Sequence, residues 1–514
     1  MQSVEGRYSQ LASVRSPFLE RARKCAELTI PALLPPEGMT DGQKLYTPYQ
    51  GIGAQGTNNL SSRLHMTLLP PNAPFFKFEV DDFLKKEITG DEEMRGEIEE
   101  ALSSVERAVQ SDIETNGVRV PGGEALKQLV VAGNVLLFSP PNGGLKVFRM
   151  DRYVVKRDMM GNALEIIVKE NIAPVMLPPE VKALVAEQKQ DGVDKTLDLY
   201  TYVARKDDKW EVFQEIKGKK IPGSDGSYPI GDCPWLALRL VRVDGEDYGR
   251  SYVEEHMGDL MSLEGLYKSI VEGSAAAAKM LWLVKPNGST RAKTVAEAPN
   301  LAVREGNADD VTTLQSQKHA DFRIALDTID RIENRLQRAF LLNMSVQRSG
   351  ERVTAEEIRR MSQDLEMVLG AIYLTLGVEF QLPLVQMTLK RLTKGRRIPD
   401  LPKSIKPKIV TGIEALGRGN DRMRLTGLLQ DIQPFWDQLA PRFNVSELLA
   451  RLAASHQVDP KGLFKTDQQV AQEQQQAMQQ SALMGALPNA INAGGRLMAE
   501  GMKQGTPNEQ VAQG

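Results

Sequence analysis

The chain has 514 residues, with 64 Lys and Arg against 67 Asp and Glu, for a net charge of −3. That balance excludes a globally basic protein that coats nucleic acid by charge alone, though not local contact with it. At ~150 residues per domain the length corresponds to roughly three domains or sub-domains, and 41% hydrophobic with 25% charged residues is enough to bury a large core.

Cys25 and Cys233 cannot build a disulfide framework or a four-thiolate zinc site and read as reduced thiols. Met1 to Pro17 lacks the pattern of a signal peptide. The apolar stretches 129–138 and 275–284 are interrupted and fall short of the ~20 residues of a membrane span. The expectation is a soluble, intracellular protein.

In chain order, residues 1–30 have apolar residues at helical spacing (Leu11, Val14, Phe18, Leu28) and predict one helix, stopped by Pro31, Pro35 and Pro36. A loop rich in Gly and Pro runs to Gly56. Asn58 to Leu69 predicts a second helix and Phe75 to Val80 a short strand. Met94 to Thr115 predicts an amphipathic helix, and Gly123 to Ala132 another. A run of strands follows: 135–138, 145–149, 153–157, 164–170, 196–204, 209–216 and 236–242. Met159-Met160-Gly161-Asn162 marks a hairpin turn within it, and Pro179 to Gln188 a helical interruption. This part reads as an α+β domain with an antiparallel sheet.

After Gly249 the pattern becomes helical. Tyr252 to Leu283 and Ala320 to Val346 predict two long helices around a polar insert with strand-like pieces such as Leu301 to Val303. Gln347 to Arg352 is a charged loop. Thr354 and Glu357 form a capping box that opens a helix from Ala355 to Leu382, with Pro383 as a kink before Leu392. Gly395 to Pro407 reads as a basic, Pro-rich linker. Segments 413–416, 424–439 and 446–455 read as shorter helices. From Thr466 the chain has eleven Gln and no aromatic residue, a composition that supplies little core.

Few residues of the chain fall in patterns that carry chemistry. Gly51-Ile-Gly53-Ala-Gln-Gly56 fits the dinucleotide pattern, with Asp81 near the position of a ribose-binding acid. However, Pro48 disfavours a buried parallel strand before it, which leaves a glycine-rich turn into a helix as the other reading. The sequence has no phosphate-binding loop of an ATPase, no serine nucleophile elbow and no His spacing suited to zinc. His65 and His256 sit in apolar helical settings and read as packed or interfacial. No metal, cofactor or catalytic residue is assigned, and the chain is not read as an enzyme. On the second long helix, Asp327, Arg331, Arg335 and Arg338 form a mixed-charge stripe opposite the apolar one. Repeated around a ring, such a stripe would line a channel or a subunit interface.

Several blocks resemble the portal, or head-to-tail connector, proteins of short-tailed double-stranded DNA phages. They are Glu124-Ala-Leu-Lys-Gln-Leu-Val-Val-Ala-Gly-Asn-Val-Leu-Leu-Phe138, Gly223-Ser-Asp-Gly-Ser-Tyr-Pro229, Val241-Arg-Val-Asp-Gly-Glu-Asp-Tyr-Gly-Arg-Ser-Tyr252 and Val346-Gln-Arg-Ser-Gly-Glu-Arg-Val-Thr-Ala-Glu-Glu-Ile-Arg359, together with Thr47 to Leu60. They run in order over most of residues 5–420. Beyond that only general character matches.

The resemblance implies an α+β, mainly helical portal fold in a ring of about twelve subunits, closed by heterologous contacts. By element, 1–250 would be the first part of a wing, 251–283 and 319–346 two stem helices, and 284–318 a clip. Gln347, Arg348, Ser349, Gly350, Glu351 and Arg352 would form a channel loop. Residues 353–410 would return to the wing, 411–480 would be a crown and 481–514 a flexible tail. The implied partners are double-stranded DNA without sequence specificity, a packaging terminase ATPase at the clip, tail adaptors, and major capsid and scaffold proteins. The implied location is the virion vertex, and the host cytoplasm during assembly. The alternatives are an adaptor or scaffold protein of the same virion, or a dinucleotide-binding enzyme using Gly51 to Gly56.

Overall fold

The computed structural model describes residues 3–39, 42–71, 75–80, 92–177, 181, 196–277, 281–299, 302–314, 319–342, 369–402, 405–409, 428–431 and 433–435. The chain divides into two compact units, 1–415 and 416–514. The second is described only at a helical turn, 428–431, and at Gln433–Phe435.

The first unit combines helices with antiparallel sheets, as expected. α1 (Val4–Glu27) starts at Ser3, whose hydroxyl accepts from Gly6 N at 3.2 Å. Its buried residues Val4, Tyr8, Leu11, Arg15, Leu19 and Ala22 recur every three or four positions, so one face is covered along its length. α2 (Ile52–Leu68) begins well before Asn58 and takes in the glycines read as a turn. A side chain at Gly53 would lie 2.4 Å from Leu28 O, and one at Gly56 2.5 Å from the Phe340 ring. Close packing therefore accounts for both glycines. α3 (Glu92–Thr115) and α4 (Arg119–Ala132) complete the N-terminal helices.

The strands follow. β1 (Phe76–Val80) pairs with a distant partner described below. β2 (Asn134–Phe138), β3 (Lys146–Phe148) and β10 (Trp235–Arg239) form a three-stranded sheet in the order β10-β2-β3. β4 (Tyr153–Arg157), β5 (Ala163–Ile172), β6 (Leu197–Lys206), β7 (Lys209–Ile216) and β8 (Lys219–Lys220) form the main sheet in that order, and β9 (Gly226–Pro229) also pairs with β7.

The turn read at 159–162 joins β4 to β5. Asp158 N donates to Asn162 O at 2.9 Å, and Gly161 takes φ 85°. Two buried guanidiniums clamp it: Arg157 donates to Gly161 O, Ala237 O and Asp247 O, and Arg239 to Gly161 O and Glu246 O. Their charges are spent on carbonyls, so the cluster is a structural fastening.

Several expectations need correction. The helix read across 252–283 breaks at His256 into α5 (Tyr252–Glu255) and α6 (Met257–Ala277), and Leu281–Val284 is a strand, β11. β11 pairs with β12 (Val311–Leu314); the strand-like piece at 301–303 has no regular structure at its described residues 302 and 303. Leu281-Trp-Leu-Val284 is apolar, aromatic and β-branched, a short run that helix and strand periodicity cannot separate. Between them lies α7 (Ala292–Ala296). The next helix, α8 (His319–Ala339), ends before 346, and Leu341 adopts φ 57°.

The last long helix, α9, is described as Leu369–Lys394, so its expected N-terminal part, with the capping box, lies outside the described residues. Pro383 is accommodated by a π-helical turn, Gly377–Gln381, immediately before it. α9 is long and apolar enough to cross a membrane by length and composition alone. Its Tyr373, Leu376, Phe380, Leu384 and Val385, however, are buried in the main hydrophobic core. Part of the expected linker is a strand, β13 (Ile405–Ile409), antiparallel to β1. Segments 179–180, 182–188, 413–416 and 446–455 and the tail after 466 lie outside the described residues.

Candidate functional site

The feature most unlike an ordinary globular domain is the pair α6 and α8 with the insert between them. Their contact follows from their apolar spacing. The two helices are in contact, and Leu260 and Leu263 of α6 and Ile329, Ile332 and Leu336 of α8 are all buried in the same hydrophobic core. Gly273 lets the helices approach, since a side chain there would lie 2.8 Å from the Phe322 ring. Polar contacts fix the register. Tyr267 donates its phenolic hydrogen to Glu333 Oε1 at 2.6 Å, which pushes the Tyr267 hydroxyl up to about 12. Tyr252 donates to Ala339 O at 2.9 Å.

At the base of the pair, His256 lies against Tyr252 and Phe340 with ring centroids 5.0 and 5.6 Å away. Burial holds its pKa below the ordinary value, and its Nε2 has no hydrogen-bond partner. This is a packed histidine, as expected. His65 is also depressed, first by burial and then by the charge of Arg119. No group of residues suited to a metal occurs among the described residues.

The four stripe residues Asp327, Arg331, Arg335 and Arg338 fall on one exposed face of α8. The structure separates their roles. Arg335 forms an ion pair with Asp259 of α6 inside the same chain. Arg335 is 64% exposed, so the pair contributes no more than ~1 kcal/mol. Asp327, Arg331 and Arg338 have no ion pair among the described residues. Large apolar residues share this exposure: Ile324 and Leu326 on α8, Met261 and Val271 on α6. The loop residues Gln347, Arg348, Ser349, Gly350, Glu351 and Arg352 lie outside the described residues.

The insert is a β-hairpin, β11 with β12, carrying a folded tip. Asp310 organises it, accepting from Ser289 N at 2.7 Å, Ser289 Oγ at 3.0 Å and Thr290 N at 3.2 Å. Those bonds, the one from Thr290 N foremost, hold its carboxyl below the usual carboxylate range. The tip surface is largely exposed and polar, with Val303 outward.

One residue that joins this helix pair to the rest of the unit was not singled out from sequence. Glu264 of α6 is buried and accepts from Tyr46 Oη, Tyr49 N at 3.0 Å and Gln50 N at 3.2 Å. Gln50 in turn accepts from Gly53 N at 2.8 Å, in the first turn of α2. The only local signal was a glutamate directly beside Leu263 on an apolar face.

The chain matches the family model "Bacteriophage head to tail connecting protein" over residues 1–463. It is 40% identical over 509 residues to the portal protein of Escherichia phage T7, covering 96% of this chain and 92% of that one. It is 40% identical over 503 residues to the portal protein of Enterobacteria phage T3, covering 95% and 92%. Among solved structures, the neck of a native gene transfer agent particle aligns at 10% identity over 73% of this chain and 85% of that one, with a TM-score of 0.34. That likeness is too loose to carry weight.

Proposed function

The chain belongs to the bacteriophage head to tail connecting protein family, and from that premise we propose that it is the portal of a short-tailed phage. It forms a ring of about twelve copies at one capsid vertex. The ring is the conduit for double-stranded DNA during packaging and ejection, and it docks the packaging ATPase and then the tail. The observation that carries this reading is the near full-length, colinear similarity to portal proteins at 40% identity.

In this reading α6 and α8 are the stem and the β11–β12 insert is the clip. The N-terminal helices and sheets form the wing, residues 411–480 form the crown and 481–514 the tail. The exposed apolar residues of α6 and α8 suit a stem that is completed only by neighbouring copies. Arg331, Arg338 and Asp327 then face either the channel or a neighbour. Arg348 and Arg352 belong to the proposed channel loop and would meet phosphates without reading sequence. The protein is structural rather than catalytic. The energy for packaging comes from the separate ATPase, because this sequence has no nucleotide-binding loop of its own. Capsid, scaffold and tail adaptor proteins are its other partners, and it assembles in the bacterial cytoplasm.

Deleting the gene from its phage tests the reading. Capsid shells should form without packaged DNA, although terminase ATPase activity persists, and the wild-type chain supplied in trans should restore filling. DNA-filled heads in its absence would overturn the proposal.

A further inference from the structure

The segment 390–408 carries eight Lys or Arg against one acid, Asp400, a net of +7 in a chain whose total is −3. The fold concentrates this charge. α9 ends at Lys394, and the turn after it closes through Gly395 N to Arg391 O at 2.9 Å and Arg397 N to Leu392 O at 3.0 Å. The left-handed position of that cap, at φ 54°, is held by Arg396 although Gly395 stands beside it. Glycine is the residue such a position favours. β13 packs against α9, and strand alternation turns Lys406 and Lys408 outward. Lys408 stands opposite Lys77 in the β1 ladder, a like-charged cross-strand pair.

Carboxylates hold only part of this charge. Lys390 pairs with Asp232, while Arg391 and Arg397 share Asp112. Lys394 and Arg396 are exposed and have no carboxylate partner among the described residues; Lys406 is exposed as well and stands opposite Glu79 in the ladder. Lys390 is pulled below the ordinary lysine value by burial and by the neighbouring Lys394. The helix dipole favours cations in the last turn of α9, but it does not account for lysines on a separate strand.

We propose that this basic edge, centred on Lys394, Arg396 and Lys406, is a second contact surface for duplex DNA, distinct in sequence from the channel loop and blind to base sequence. It rests on the portal reading only for the identity of the polyanion. A protein partner would need apolar anchors. Here Leu392 and Ile398 are buried, and no large apolar side chain among the described residues 379–402 and 405–409 is exposed. Phosphates need only the cations.

The test uses assembled rings of the full chain and a covalently closed plasmid, which cannot thread a channel, titrated across salt concentration. The variant Lys394→Glu/Arg396→Glu/Lys406→Glu should form normal rings and bind the plasmid at least ~10-fold more weakly, with the salt slope reduced by roughly 2–3 for three lost phosphate contacts. Lys394→Gln/Arg396→Gln/Lys406→Gln should fall between it and wild type. Equal binding by wild type and both triple variants would overturn the proposal. So would polyglutamate binding more tightly than plasmid at equal charge and being lost in the same variants, since the edge would then serve an acidic protein. A failure of ring formation by the wild-type chain would count against the portal reading instead.

Discussion

Glu264 and Gln50 lie 214 residues apart, yet the carboxylate of Glu264 accepts the backbone N–H of Gln50 at 3.2 Å, from inside a mostly apolar helix face. The same carboxylate takes the Tyr49 N–H and the Tyr46 hydroxyl, which this bond pushes up to about 12. One side chain thus fastens the loop entering α2 to α6. Glu264→Ala leaves these donors without their acceptor, at about 1–3 kcal/mol. The expected outcome is a lower thermal midpoint together with faster proteolysis within residues 42–50. Unchanged cleavage there would show that the fastening is not needed.

Gly56 separates packing from cofactor binding. In Gly56→Ala the new methyl must displace the Phe340 ring, 2.5 Å away, and the expected loss is about 1–3 kcal/mol. Urea unfolding of wild type and variant checks the loss, and calorimetric titration with NAD should give no heat for either. Wild-type stability in the variant, or NAD binding by the wild type alone, would restore the dinucleotide reading.

His256 supplies a pH dependence with a defined sign. Burial depresses its folded pKa below the ordinary histidine value, so around and below pH ~6.5 the unfolded chain binds the extra proton more readily. The stability held by the neutral ring is present above that range and is lost as pH falls through it. His256→Phe keeps an aromatic group beside Tyr252 and Phe340 and should flatten the fall in thermal midpoint between about pH 7 and pH 5. Parallel curves for wild type and variant would contradict this.

Arg348 and Arg352 are the proposed phosphate contacts of the channel loop. Replacing both with Ala should leave rings intact and reduce packaged or retained DNA per particle, measured by quantitative PCR on nuclease-treated heads. Normal DNA content with normal infectivity would sink the idea.

Much of the architecture was legible locally. The apolar spacing of α1 and α3, the strand run from Val135 to Arg242 and the turn at Gly161 all follow from short-range pattern. What escaped was set by distant partners. Ile405-Lys-Pro-Lys-Ile409 reads as linker because Pro407 and two lysines mask its alternation, and it becomes a strand only because β1 supplies the ladder. Leu281 to Leu283 read as the end of the helix and instead form a strand with Val284, because Val311 to Leu314 pairs with it. Nothing in the local sequence beyond its place beside Leu263 marks Glu264, since its donors lie more than two hundred residues away. The stripe on α8 was legible as a face, but the pairing of Arg335 with Asp259 required the fold.

The central claim is that this chain builds a portal ring, and the mass of the purified full-length protein tests it most directly. Native mass spectrometry, with negative-stain images of the same sample, should show particles of about 680 kDa, twelve times the 56.9 kDa chain, with a central hole. A compact dimer that retains a bound nucleotide would contradict the account.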